Sequence, residues 1–200
     1  MTHNIFKDFG DDPVALFRKW FDEAKASEPN DPNAMALATV DSQGRPSVRI
    51  VLLKDITADG FVFHTNYDSA KGRALRLRPE AELNFYWKTL GKQIRIAGRT
   101  VQISAAQSDA YFASRPRESQ LGAWASLQSQ PMDTYETFEK NLDAIRATYE
   151  GKPVPRPPHW GGFCLQPDTM EFWIAHPFRL HTRFKYTRAR DGWDAGWLYP

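Results

Sequence analysis

The sequence predicts a mainly β protein with added α-helices: an antiparallel barrel whose helices pack on the outside. Three observations point there. Seven or eight short runs read as strands, bounded by turn residues. The helical segments are inserted between groups of strands, whereas a doubly wound parallel sheet would alternate the two. Neither GxGxxG nor GxxxxGK[ST] occurs, so the usual nucleotide-binding loops of parallel folds are absent.

Residues 1–11 are polar and irregular and read as a mobile tail, leaving 12–200 as one domain. Asp12-Pro13 opens a helix, Asp12 as cap and Pro13 at the first helical position, with Val14, Phe17, Phe21 and Ala24 as its apolar face. PNDPN at 29–33 ends it. Strands follow at Ala34–Val40 and Pro46–Lys54, joined by the turn DSQG, and at Gly60–Asn66. Ser69–Leu77 is helical with Ser69 as cap. Ala81–Trp87 and Gln93–Ser104 are strands, and 105–149 turns helical with a break at Arg115-Pro116. After the stiff VPRPPHWGG connector come strands near Phe163–Leu165, Glu171–Ala175 and Arg179–Arg188, with Trp193–Leu198 closing the sheet.

Composition narrows the function classes. At 42% hydrophobic and 25% charged residues the chain reads as globular and soluble, and a net charge of +2 gives no footprint for a nucleic acid. The lone Cys164 forms no intrachain disulfide and has no thiol or histidine cluster around it for a metal. No signal peptide or membrane-length apolar run is evident, which leads to an expectation of a cytoplasmic protein with no membrane partner.

Several stretches carry candidate chemistry. In EFWIAHPFRLHTRFKY at 171–186, Arg179, His181, Arg183 and Lys185 alternate with Leu180, Thr182, Phe184 and Tyr186. On a strand this puts a row of cations on one face, either solvated or facing an anion. RIVLLK at 49–54 reads as a strand buried on both sides, with Arg49 and Lys54 at its ends either snorkelling to water or flanking an anion. HTN at 64–66 followed by SAKGR at 69–73 puts Thr65, Ser69 and Lys71 at a helix start, where backbone N–H groups and the dipole favour phosphate. Tyr111 and Arg115 share a helical face, with Ser119 close behind, as a second phosphate cradle. Gln128 and Ser129 offer groups able to read a flavin or pyrimidine edge.

RIVLLK, SRPRESQLGAW at 114–124, WGGF at 160–163 and EFW…RLH.R at 171–183, in this order, resemble the pyridoxine (pyridoxamine) 5′-phosphate oxidases. The resemblance runs from about Asp12 to Pro200. It implies an antiparallel Greek-key split barrel that binds FMN between the subunits of a homodimer. The implied reaction oxidises pyridoxamine or pyridoxine 5′-phosphate to pyridoxal 5′-phosphate, with O2 as acceptor and H2O2 as product. Arg49, Ile50, Val51, Leu52 and Lys54 then resemble the strand along the flavin. His64, Thr65, Lys71, Gln93, Gln128, Ser129, Trp173 and Arg183 resemble further FMN contacts. Lys54, Tyr111, Arg115 and Ser119 resemble the substrate-phosphate pocket, and Arg179 and His181 the catalytic pair over the pyridine ring. The chain departs from the family pattern at His64 (usually Tyr), Ala70 (usually Arg), Ile174 and Thr182, and the arginine- and tyrosine-bearing segment is missing from residues 1–10. Two alternatives stay open: a related flavin oxidase acting on a dihydrophenazine-like ring, and a non-catalytic protein that binds FMN or pyridoxal phosphate. The wealth of aromatic residues, seven Trp and thirteen Phe, fits a chain that buries some of them against a second copy.

Overall fold

A computed structural model describes residues 11–200, so residues 1–10 of the expected tail lie outside the described part. The first helix, α1 (Pro13–Ser27), starts where Asp12 Oδ1 accepts the N–H groups of Val14 and Ala15 at 2.9 and 3.1 Å. Its buried side is rotated from the expected one. Leu16, Phe17, Trp20 and Ala24 are fully covered, while Val14 and Phe21 sit at the margin. The rotation follows from size: Phe17 meets Phe61 and Phe85 edge-on at 4.9 and 5.1 Å, and Trp20 meets Phe172 at 5.1 Å. The helix thus fills the inner side of the sheet with its two largest rings.

Nine antiparallel strands make that sheet. β1 (Ala34–Val40) and β2 (Pro46–Leu52) form a hairpin around Asp41, whose carboxylate accepts from the Gln43 and Arg45 N–H groups. β3 (Asp55–Ile56), which the sequence did not suggest, and β4 (Phe61–Asn66) follow. Then come α2 (Ala70–Leu77), β5 (Glu80–Trp87) and β6 (Lys92–Gln102). Three helices, α3 (Ala105–Ala113), α4 (Arg117–Ala125) and α5 (Tyr135–Thr148), precede β7 (Trp160–Ile174), β8 (Thr182–Ala189) and β9 (Gly192–Leu198). The order is β2-β1-β5-β6-β7-β4-β3, with the β8–β9 ribbon on β7. The Lys54 N–H, between β2 and β3, donates to the Val62 carbonyl at 2.8 Å and extends the β3–β4 pairing back toward β2.

The two strands expected near 163–165 and 171–175 are one. β7 runs through Pro167, which has no N–H to offer a neighbour. On one edge it pairs with β6 along its length. On the other it pairs with β4 through Trp160–Leu165 and with β8 through Thr169–Ile174, so Pro167 falls where one partner has ended and the next has not begun. The register to β6 shifts at the same place: Ala97 faces Thr169 and Gly98 faces Pro167, leaving Asp168 of β7 as the extra residue of a bulge. There the backbones approach so closely that a Cβ on Gly98 would lie 2.0 Å from the Gln166 carbonyl oxygen.

Two further expectations are corrected. β2 is not buried on both faces: it is the last strand of the order, so Val48 and Ile50 stay 64% and 66% exposed, and only Val51 and Leu53 turn inward. Arg179 and His181 do not belong to the last long strand. β8 begins at Thr182, because Pro177 starts a tight turn in which Phe178 and Arg179 take φ of +59° and +63°. Within β8, Tyr186 is buried in the core and Phe184 half-buried against it, while Leu180, ahead of the strand, is exposed.

Gly98→Ala should lower stability by roughly 1–3 kcal/mol through the backbone clash. Gly122→Ala, with nothing within 4 Å of its Cβ in α4, should raise it by up to about 1 kcal/mol. Urea unfolding of the two variants checks both signs.

Candidate active site

A cavity of about 710 Å³ opens where β2, β4 and the start of α2 meet α3 and α4. Ile50, Val51 and Leu52 give it an apolar wall, and the exposed face of this edge strand is what makes the wall available. Lys54, at the end of that strand, reaches to 5.8 Å from the Tyr111 ring centre. Thr65 sits on β4, and Lys71 projects from the first turn of α2, whose cap Ser69 accepts the Gly72 N–H. Tyr111 comes from α3, Arg115 from the break at Pro116, and Ser119 from the first turn of α4. Gln120 fixes that break: its Nε2 donates to the carbonyls of Phe112 and Ala113 at 2.9 and 3.2 Å, holding α4 against the end of α3.

The electrostatics are one-sided. Among the described residues no carboxylate pairs with Lys54, Lys71 or Arg115. Lys71 Nζ donates to Gln128 Oε1 at 2.9 Å and to Ser69 Oγ at 3.3 Å. Burial, with the nearby Arg49 charge, lowers its pKa to about 8. Arg49 is held by neutral acceptors, the Leu37 and Ser47 carbonyls and the Thr39 and Ser47 hydroxyls. Burial lowers its pKa too. Arg115 lies 4.7 Å over the Trp160 ring and keeps a buried Nη1 without a partner. His64 stacks nearly parallel to Tyr111 at 4.1 Å and to Trp160 at 5.2 Å, both ring nitrogens buried and unpartnered. Burial first, then the Arg115 and Lys54 charges, push its pKa down to about 4. Donors left without acceptors among uncompensated cations suit an anion with several oxygens, such as a phosphate ester. The residues present therefore fit the phosphate of FMN and that of a B6 vitamer.

The remaining sequence candidates gather elsewhere. Gln93 on β6, Trp173 on β7 and Arg183 on β8 form one row across three strands. The His181 ring lies 4.5 Å from Trp173, and Arg179 is exposed in the adjoining turn. Arg183 is already engaged: Nε donates to Glu171 at 2.8 Å and Nη1 to the Tyr199 carbonyl at 3.1 Å. Glu171, buried, also faces Arg95 at 3.6 Å, so part of the cationic row is balanced from within. Thr65 is opposite Gly161 and Gln93 opposite Trp173. These two points on β7 are twelve residues apart, roughly 40 Å along an extended strand. One chain does not bring the two groups together around a small ligand. Ser129, in a tight turn with φ +69°, lines a neighbouring pocket and not the main cavity.

Sequence reasoning passed over Trp160, Asn66 and Ser126, all of which line the cavity. WGGF was singled out as a motif, yet its tryptophan drew no role. Its glycines explain the motif: a Cβ on Gly161 would meet the Tyr67 hydroxyl at 2.1 Å, and one on Gly162 would meet the Ile103 side chain at 2.5 Å.

Known proteins agree with this architecture. Residues 21–149 match the family model described as pyridoxamine 5′-phosphate oxidase, and 160–200 match the pyridoxine 5′-phosphate oxidase C-terminal dimerisation region. A pyridoxine/pyridoxamine 5′-phosphate oxidase of Sphingopyxis alaskensis is 53% identical over 95% of this chain and 88% of its own length. One of Gluconobacter oxydans is 53% identical over 94% of each. Among solved structures, PhzG from Burkholderia lata, in complex with tetrahydrophenazine-1-carboxylic acid, superposes with a TM-score of 0.92 at 32% identity, covering 100% of this chain and 98% of that one. An FMN-binding protein of Nostoc punctiforme shares the fold, with a TM-score of 0.75 at 20% identity over 94% and 98%. With its barrel and its C-terminal region both matched, the chain belongs to the pyridoxamine 5′-phosphate oxidase family.

Proposed function

We propose that the chain oxidises pyridoxamine and pyridoxine 5′-phosphates to pyridoxal 5′-phosphate, using bound FMN and O2 and releasing H2O2. The observation that carries this reading is the cavity in which Lys54, Lys71 and Arg115 meet no carboxylate, beside orphaned nitrogens on Arg115 and His64. FMN, when bound, supplies the two-electron chemistry, taking a hydride from substrate C4′ and passing electrons on to O2. Lys71, Thr65 and Gln128 would hold its phosphate end, with the Arg49 charge nearby, and Ile50 to Leu52 would offer an apolar wall to its ring system. Arg115, Lys54, Tyr111 and Ser119 hold the substrate phosphate as a remote handle that fixes C4′ in place. Arg179 and His181 cover the pyridine ring and stabilise charge on its oxygen and nitrogen as hydride departs.

The separation of the two groups along β7 supports a homodimer with FMN between the subunits. Arg179, His181, Trp173, Gln93 and Arg183 of one subunit then complete the cavity of the other. Exposed apolar side chains at both places favour the same arrangement: Val48 and Ile50 beside the cavity, and Phe178, Leu180 and Tyr199 at the C-terminal end. A second reading, oxidation of a dihydrophenazine-like ring, draws support from the likeness to PhzG. The higher identity to the B6-phosphate oxidases and the phosphate-suited cations rank it second.

Purified protein should carry flavin absorbance, and anaerobic addition of pyridoxamine 5′-phosphate should bleach it, while a dihydrophenazine should act slowly or not at all. A flavin that stays oxidised with both compounds means a binding protein and not an oxidase. Arg115→Ala should cut kcat/KM for the phosphorylated substrate by about ten- to a hundredfold, the equivalent of one charge-assisted hydrogen bond, with flavin retained. FMN affinity should be pH-dependent. Free Lys71 loses its proton near pH 8, and a bound phosphate favours the charged form, so affinity is highest between that pH and the phosphate's own second pKa of about 6. It then falls by at most about tenfold per unit as pH rises. Fluorescence-quenching titrations of FMN at several pH values check this, and Lys71→Arg should flatten the profile.

A further inference from the structure

The turn between β7 and β8 carries Arg179 and His181 on a backbone held from within by one long bond, the Leu180 N–H to the Pro177 carbonyl at 3.3 Å. Phe178 and Arg179, neither a glycine, both sit in the left-handed region, which side chains disfavour. Phe178, Arg179 and Leu180 are exposed, so packing within the chain does not fix them. Beyond the Ile174–Thr182 pairing at its base, the side-chain bonds that span the turn come from His176. Its backbone N–H donates to His181 Nδ1 at 3.2 Å, and its ring Nε2 lies 2.9 Å from Thr182 Oγ1. His176 precedes the turn and Thr182 follows it, so this ring–hydroxyl bond joins the two stems. Ala175, one residue earlier, is pinned by its N–H to the Gly91 carbonyl at 2.8 Å, which anchors the first stem to the β5–β6 turn.

The bond to Nδ1 also has a chemical result. A nitrogen that accepts an N–H carries no proton, so His181 is the Nε2–H tautomer, and its remaining ring nitrogen is a donor. The Trp173 ring, 4.5 Å away and tilted by 40°, limits how the imidazole can turn.

We propose that His176 and Thr182 are positioning residues: together they clasp the turn and hold His181 as an Nε2–H donor facing the substrate. This rests on the reading of Arg179 and His181 as substrate-facing. The clasp itself stands on the two bonds of His176 and is testable apart from turnover.

The test uses the full-length, FMN-loaded protein with 15N-labelled histidine, the His181 signals being assigned by their loss in His181→Gln. Long-range 1H–15N spectra should show His181 as the Nε2–H tautomer in the unsubstituted protein and as a mixture of tautomers in Thr182→Val and His176→Phe. In both variants kcat should fall about ten- to a hundredfold, as for a misplaced catalytic group, with flavin retained. The double variant should be no worse than either single one. Thr182→Ser, which keeps the hydroxyl, should restore both tautomer and turnover; it also serves as the folded comparison should His176→Phe be unstable. An unchanged tautomer in Thr182→Val, or equal behaviour of Thr182→Val and Thr182→Ser, overturns the clasp. Absence of oxidase turnover in the unsubstituted protein overturns the functional reading instead, and the ring spectra still decide the clasp.

Discussion

A strand edge can bond only one neighbour at each residue, and β7 uses that limit to divide the molecule. Its first half belongs to the barrel through β4 and its second half to the ribbon through β8, with Pro167 at the exchange. β6 follows it on the opposite edge, with one shift of register opposite Asp168. The positions of the functional groups follow from this. Thr65 and Trp160 lie at one end of β7, while Trp173, His181 and Arg183 lie at the other. A family whose C-terminal region is a dimerisation region has a direct use for such a layout.

The second organising fact is charge left unbalanced on purpose in one place and balanced in another. Around the cavity, Lys71 is offered only an amide and a hydroxyl, and Arg49 only neutral oxygens. At the far end of β7, Glu171 takes up Arg183 and faces Arg95, which is itself paired with Glu82. The same residue types therefore mean different things at the two ends. Cations without carboxylates suit a place where a ligand would bring the negative charge, as in the proposed function; the interleaved acids and bases of the ribbon pair with one another across strands.

Local chemistry was legible in the sequence where it is self-contained. Asp12-Pro13, Ser69 and the Asp41 turn declare themselves because the capping group and the group it satisfies lie within four residues. Strand periodicity identified β1 and β4 to within a residue of their observed ends. What depends on distant partners was not legible. Nothing local says that Gln166-Pro167-Asp168 is strand, because the reason is a change of neighbour on one edge. Nothing local says that the apolar run at 50–53 ends the strand order, or that the turn at 177–180 interrupts the row of cations. His64 looked like one member of a strand; only the fold sets it beside Tyr111 and Trp160. The resemblance to the oxidases implied a grouping of separated motifs, and of these Lys54, Tyr111, Arg115 and Ser119 do line one cavity.

The pairing of β4 with β7 also bears on how the chain reaches its native state. Those strands are separated by about a hundred residues of sequence, and β6 waits for the same strand. During synthesis, β4 and β6 emerge from the ribosome long before the strand that lies between them. Until it arrives, two neighbouring backbones expose open ladders of N–H and C=O groups. Helices α3, α4 and α5 are made in that interval and are built from short-range contacts that form at once. β7 is thus the last barrel strand to be made, and it pairs on both edges with strands synthesised before it.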